Sequence, residues 1–227
     1  MDLGLDSRVV LVAGGRGYIG RAVVQRLREE GATVVVASRN PGQDGVAVDL
    51  TDTASARSAV ERVLADHGRI DALVVTAAPA AGSLDPARNS DPEQIATAFD
   101  AKSLGFLRLA NAAAPAMREA GYGRIVGISG QNAYLTGNTT GAVRNAALVI
   151  AAKNLADELA GSGVTVNTVN PGPVVDEPSS QVRPGAPGES SPDQIAALVT
   201  FLVSPLAAAV SGEAIATGHR VRGVVTF

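Results

Sequence analysis

Three glycines carry the clearest chemical signal in the chain. In "VVLVAGGRGYIGRAVV", Gly14, Gly17 and Gly20 stand between a run of branched apolar residues and an amphipathic segment. Glycine lets the backbone turn tightly, approach a pyrophosphate and seat a helix against a strand. The helix that follows presents unpaired N–H groups to a phosphate. A glycine triplet in this strand-to-helix context reads as a dinucleotide loop, with Arg16, Tyr18 and Ile19 as its other members. The second apolar run ends in "ASRN", so Ser38 and Arg39 stand where an acidic residue usually holds a ribose 2′-hydroxyl. Arg39, together with Arg16, suits a 2′-phosphate, which favours NADP(H) over NAD(H). Two solvated surface arginines are the competing reading. Asp49 and Leu50, in "VAVDLTD", fall toward the adenine edge.

A second group of polar residues lies farther along. Ser129, Gln131, Asn132, Tyr134 and Asn138 cluster in "SGQNAYLTGN", with Gly141 and Asn145 just beyond. Tyr134 can donate a proton or pack as a loop anchor, and asparagines in such loops commonly make turns. Lys102 can bring an ammonium into the pocket or snorkel from its helix, and the snorkel is favoured. Asp176 and Glu177 form a carboxylate pair of the type used in acid–base work, or a solvated pair of loop charges. Lys153 lies too far along its helix to take part. His219 reads as a surface or subunit-contact residue. With no cysteine, and only His67 and His219 as imidazoles, no metal site is expected.

The elements that must position these residues alternate. Near-continuous apolar runs at 8–14, 33–38, 45–50, 71–78, 123–129 and 163–170 read as strands buried on both faces. Helical patterns lie between them. "YIGRAVVQRLREEG" gathers Ile19, Val23, Val24 and Leu27 on one face and ends at Gly31. A second ends at Gly68. Asp91-Pro92 with Gln94, and Ser191-Pro192 with Gln194, predict capping boxes at two helix starts. The pattern predicts an α/β fold: a single Rossmann domain over 1–227, with a doubly wound parallel sheet of about seven strands and helices on both faces. Residues 171–191, rich in Pro, Gly and Ser, predict a mobile substrate loop after the sixth strand.

Composition narrows the function classes. Apolar residues make up 46% of 227 and aromatics 3%, so the core must be Ala, Val, Leu and Ile. A net charge of −3 with scattered arginines leaves no footprint for nucleic acid. No apolar run reaches membrane-spanning length, and the first residues lack a signal-peptide pattern, so a cytoplasmic protein is expected. The Ala-rich helices starting near 92 and 140 are apolar on more than one face, enough to cover both the sheet and another subunit.

The chain resembles the short-chain dehydrogenase/reductase family over nearly its whole length. The resemblance rests on "AGGRGYIG", "VDLTD", "RIDALVV", "GRIVGIS", "VTVNTVNPGPV" and "SPDQIAALVTFLVSP…SGEAI". The glycine spacing, with Tyr18 where small members have glycine, looks like the family's extended branch, whereas the length fits the small branch. The resemblance implies a cofactor site that includes Pro171 and Gly172, a small-molecule substrate, and pairing into a homodimer or homotetramer through the helices from 92 and 140.

It also implies an Asn-Ser-Tyr-Lys tetrad, and here the chain departs. Aligning "VRNAAL" with the family's "SKAAL" puts Asn145 at the lysine position and Gly141 at the tyrosine position. Gly130 takes the serine position, or Ser129 after a one-residue slip, and Lys102 takes that of asparagine. "VTAA", 75–78, replaces the family's "NNAG". A phenol with a free pKa of roughly 10 needs a nearby ammonium to work near neutrality, and neutral Asn145 supplies none. The nicotinamide half of the site is therefore expected to be weakened. Ser129, Tyr134 and Lys102 are the substitute catalytic candidates. Gln131, Asn132, Asn138, Gly141 and Asn145 are expected to line a pocket. Three functions remain: an atypical NADP(H) oxidoreductase acting on a carbonyl, alcohol or olefin, a redox-neutral cyclase, dehydratase or isomerase, and a catalytically silent subunit.

Overall fold

The computed structural model describes residues 2–42, 45–77 and 84–223. Seven parallel strands form one sheet: β1 (Val9–Ala13), β2 (Thr33–Ser38), β3 (Gly45–Ala47), β4 (Ala72–Val75), β5 (Gly123–Ile128), β6 (Val164–Pro171) and β7 (Ala214–Thr217). Their order is β3-β2-β1-β4-β5-β6-β7, so the chain changes direction across the sheet between β1 and β4. The predicted doubly wound α/β architecture is the one observed.

The sheet is covered on both sides, and the strand period of two assigns the residues. In β1, Val10 and Val12 face the helices α1 (Tyr18–Glu29) and α6 (Pro192–Val203), where Val23, Leu27, Ile195 and Val199 complete one core. Val9 and Leu11 point the other way. There they meet α2 (Thr53–His67), α4 (Gly105–Glu119) and α5 (Thr139–Glu158) through residues such as Val63, Phe106, Leu109 and Leu148. Each fully buried Val, Leu or Phe side chain contributes about 1.5–3 kcal/mol relative to exposure. Val-rich strands with Ala- and Leu-rich helices are therefore enough, without many aromatics.

Two predicted helix starts behave differently. Ser191 and Gln194 form the full capping box at α6. At α3 (Pro92–Phe99) Asp91 accepts from Glu93 N, but Gln94 does not return to its cap. Its amide instead binds the backbone of Asp85 and Arg88, tying the preceding turn down. The single long helix expected from 92 is also divided. A π turn, Asp100–Leu104, joins α3 to α4, and the Gly105 N–H bonds back to Asp100 O. No helix among the described residues is long and apolar enough to cross a membrane. Nor do the described residues gather three or more metal-binding side chains in one place.

Candidate active site

The carboxyl ends of β1 and β4 flank the point where strand order reverses, the place where ligands of such sheets bind. Gly14 leaves β1 with φ +82° and its N–H bonds Ala37 O at 2.9 Å. Thr76 closes the other side, its hydroxyl donating to Ala13 O at 3.0 Å. A Cβ on Gly20 would stand 2.1 Å from Gly14 O, so helix and loop pack at a distance only glycine permits. Gly17 is the N-cap of α1 and gives no side-chain cap, leaving the first-turn N–H groups available to an anion. Tyr18 and Ile19 form that turn.

Around this loop the polar groups are partly engaged. Arg16 donates from Nη1 to Asn40 O at 2.5 Å, while Arg39 is exposed. Ser38 Oγ, at the end of β2, is buried without a hydrogen-bond partner among the described residues. Asp49 accepts from both the N–H and the hydroxyl of Thr51, at 2.9 and 2.8 Å, and these bonds lower its pKa. Leu50 packs against Gly105, and its carbonyl accepts from Arg108 Nη1 at 2.8 Å. The unexpected contact is from Tyr18, whose hydroxyl donates to Asp176 Oδ1 at 2.5 Å and thereby bridges the loop to residues 171–191. That hydrogen bond, followed by burial, raises the pKa of Tyr18.

Residues 171–191 are held at several points. Val174 bridges Ser190, Ser179 N bonds Glu189 Oε2 at 2.9 Å, and Gly185 N bonds Arg222 O at 2.9 Å. Pro171 ends β6. A Cβ on Gly172 would meet Gly188 O at 2.2 Å, so this glycine lets the segment fold back on itself. Asp176 and Glu177 are exposed and do not form a carboxylate pair with a shared partner.

The second polar group lies beyond β5. Lys102, in the π turn, is only 6% exposed, and its Nζ donates to Ser129 O at 3.0 Å. It does not snorkel; the π turn aims it inward. Burial, then the neighbouring Arg144 charge, lowers its pKa to about 7. Ser129 Oγ donates to Asn145 O at 3.0 Å. A Cβ on Gly130 would stand 3.0 Å from Asn145 Nδ2, and Asn145 Oδ1 is buried without a hydrogen-bond partner among the described residues. Lys102, Ser129, Gly130 and Asn145 therefore form one cluster. Ser103 joins its edge through a 2.8 Å bond to Arg144 O.

The other polar residues serve the framework. Gln131 is buried, and its amide binds Thr217 O, His219 O and Val221 N, so it braces the strand end rather than lining a pocket. Asn138 caps α5, its Oδ1 accepting from Gly141 N at 2.8 Å. A Cβ on Gly141 would strike that capping amide at 2.9 Å, so cap and glycine require each other. Asn132 is exposed, in a short 3-10 turn, Gln131–Tyr134. Tyr134 OH accepts from Asn170 Nδ2 at 3.2 Å. His219 is exposed, and Lys153 pairs with Asp157 away from the site. Of "VTAA", residue 78 lies outside the described residues. Sequence reasoning missed Asn170, Arg144 and Thr76. The asparagine in "VNPGPV" at the end of a buried strand was the one usable signal.

Comparison with known proteins agrees with this geometry. A family model, Enoyl-(Acyl carrier protein) reductase, matches residues 13–218. D-threitol dehydrogenase of Mycolicibacterium smegmatis is 31% identical over 93% of this chain and 91% of its own. The 3-oxoacyl-[acyl-carrier-protein] reductase FabG of Escherichia coli is 29% identical over 93% and 96%. Among solved structures, YwfH, an NADPH-dependent reductase involved in bacilysin biosynthesis, superposes with a TM-score of 0.80 at 26% identity, covering 94% of this chain and 99% of that one. A short-chain dehydrogenase/reductase of Serratia marcescens gives 0.81 at 26% identity, covering 96% and 98%. With this coverage, the glycine loop and the sheet order, the chain belongs to the short-chain dehydrogenase/reductase family.

Proposed function

We propose that the protein is an NADP(H)-dependent oxidoreductase acting on a small carbonyl, alcohol or olefin, with proton handling assigned to residues other than the family's usual tetrad. The observation that carries the reading is the glycine loop at the strand-order reversal, where the first turn of α1 has no side-chain cap. The residues fit a dinucleotide. The α1 terminus accepts the pyrophosphate, and Arg39 and Arg16 suit a 2′-phosphate. Pro171 and Gly172 flank the other end of the cleft. The cofactor, when bound, supplies or accepts the hydride.

The chain's own residues then govern binding, orientation and the proton. Gly141 and Gly130 have no side chain to donate, and Asn145 is neutral. Lys102 is the one group of the second cluster able to hold or release a proton near neutrality. Ser129 has its hydroxyl proton on Asn145 O, and so serves as a positioning residue between Lys102 and Asn145. Tyr134, bonded to Asn170, is the alternative donor. Asn145, buried beside Ser129, sets the backbone carbonyl that holds the serine hydroxyl at this end.

Assembly belongs to the same reading. Val143 and Ile150, one heptad apart on α5, are 41% and 63% exposed, an apolar stripe suited to pairing in a dimer or tetramer. The primary test is titration of purified protein with NADPH and NADH, followed by cofactor fluorescence. Saturable NADPH binding is expected, weakened about tenfold or more in Arg39→Ala through loss of a charged phosphate contact. Absence of binding by either dinucleotide removes the proposal.

A further inference from the structure

Tyr18 and Asp176 lie far apart in sequence, yet the phenol donates to Asp176 Oδ1 at 2.5 Å. Tyr18 is the first residue of α1, beside the uncapped N–H groups of the glycine loop. Asp176 follows β6. In the sheet, β4 and β5 stand between β1 and β6, so the strands that lead to the two residues are about 14 Å apart. The contact thus brings the two flanks of the cleft together.

The arm that carries Asp176 is braced from behind. Val174 bridges Ser190, and Ser179 N bonds Glu189 Oε2 at 2.9 Å, so the chain on both sides of Asp176 is tied within residues 171–191. Among the described residues, Tyr18 alone bonds the Asp176 side chain, and no cation pairs with it. Arg16, the guanidinium of the loop, gives its Nη1 to Asn40 O instead. The bond to Asp176, ahead of burial and the carboxylate's charge, raises the pKa of Tyr18, so the phenol keeps its proton and remains a donor. An uncompensated carboxylate is therefore held at the α1 terminus, where the helix dipole favours a negative charge. The same place is assigned above to the pyrophosphate.

We propose that Tyr18 and Asp176 form an autoinhibitory gate on dinucleotide binding: the phenol holds the carboxylate at the anion site, and carboxylate and pyrophosphate exclude each other. The inference rests on the dinucleotide reading. Like charges about 8 Å apart repel enough, even in water, to shift a binding constant severalfold. A dinucleotide binds once the Tyr18 bond breaks and the arm swings outward, so the affinity is lowered by the fraction of molecules in which the arm is open. Tyr18 is in this sense a positioning residue, acting through Asp176.

The test titrates the full chain with NADPH at about 10 mM salt, where surface charges are least screened. Asp176→Asn keeps an oxygen for the Tyr18 proton and removes the charge, and its Kd is expected to fall about fivefold. Tyr18→Phe keeps the charge and frees the arm, and a smaller fall, about twofold, is expected. The double variant should bind no more tightly than Asp176→Asn. At about 1 M salt the gain in Asp176→Asn should largely disappear, a change that a merely structural role of the pair would not produce. Amide hydrogen exchange without added cofactor reads the contact itself, and should quicken over 173–182 more in Tyr18→Phe than in Asp176→Asn. Equal or weaker NADPH binding in Asp176→Asn, or a gain that survives high salt, overturns the gate and leaves the pair as a tie between loop and arm. Equal binding leaves the dinucleotide reading intact, whereas absence of NADPH binding in the parent and every variant removes both.

Discussion

A buried lysine records its environment in the pH dependence of stability. Lys102 has its folded-state pKa lowered to about 7, first by burial and then by Arg144. The unfolded chain, with a lysine pKa near about 10.4, binds the proton more tightly across this interval. The charge therefore destabilises the fold below pH 7, and the penalty is relieved as pH rises from about 7 to about 10.4. Lys102→Met, similar in length and uncharged, is expected to gain stability relative to the parent at pH 6, by up to a few kcal/mol. The gain should shrink at pH 9 to 10, where loss of the bond to Ser129 O is what remains. Urea denaturation at the two pH values measures it.

At the scale of elements, the sequence was most informative where local rules act alone. Strand periodicity, the glycine triplet and the box at Ser191 and Gln194 depend on neighbours within a few residues, and each is found in the structure. Long-range contacts decided the rest. Gln94 left its own cap for Asp85 and Arg88, across a turn that no helix rule includes. The π turn that splits the helix is held by Asp100 with Arg108 and by the seat of Gly105 on Leu50. Lys102 reads as a snorkel on an unbroken helix and becomes a buried cation only through that turn. Likewise, Gln131 reads as a pocket amide until the strand end that it braces is known. At the glycine loop itself, Gly20→Ala would press a Cβ toward Gly14 O. It is expected to lower stability by about 1–3 kcal/mol through overpacking and to abolish NADPH binding. Thermal melting and dinucleotide titration check the two effects separately.

Across the whole molecule, the two ends of the sheet have different duties. The carboxyl end holds the candidate site. The amino end carries a charge cluster around buried Asp71, 3% exposed, which accepts from Arg8 at 2.8 Å, from Val9 N at 2.9 Å and from Arg69. Tyr122 lies between the guanidinium groups of Arg8 and Arg124, 4.2 and 4.3 Å from its ring centre. Burial by itself would raise the pKa of Asp71, but the bonds from Arg69, Val9 and Arg8 outweigh it and the net shift is downward. The stabilisation is thus present above the unfolded pKa of about 3.9 and is lost as pH falls through the lower folded value. Asp71→Asn is expected to lose roughly 3 kcal/mol at pH 7, with a smaller deficit in acid, as read from denaturant midpoints. Assembly is tested at the same scale. Ile150→Glu places a charge on the exposed stripe of α5 and should shift the sedimenting species toward the monomer, with the fold retained.

The π turn at Asp100–Leu104 has a consequence for how such a site arises and disappears. A regular helix advances about 100° per residue, so one residue more or fewer re-aims every side chain on one side of the change. Removing a single residue from this turn would restore α geometry and swing the amine away from the end of β5, with no substitution at position 102. The inward-facing cation is in that sense a property of chain length between α3 and α4. A chain with the same residue types but one residue fewer in this turn would present a different side chain to the end of β5.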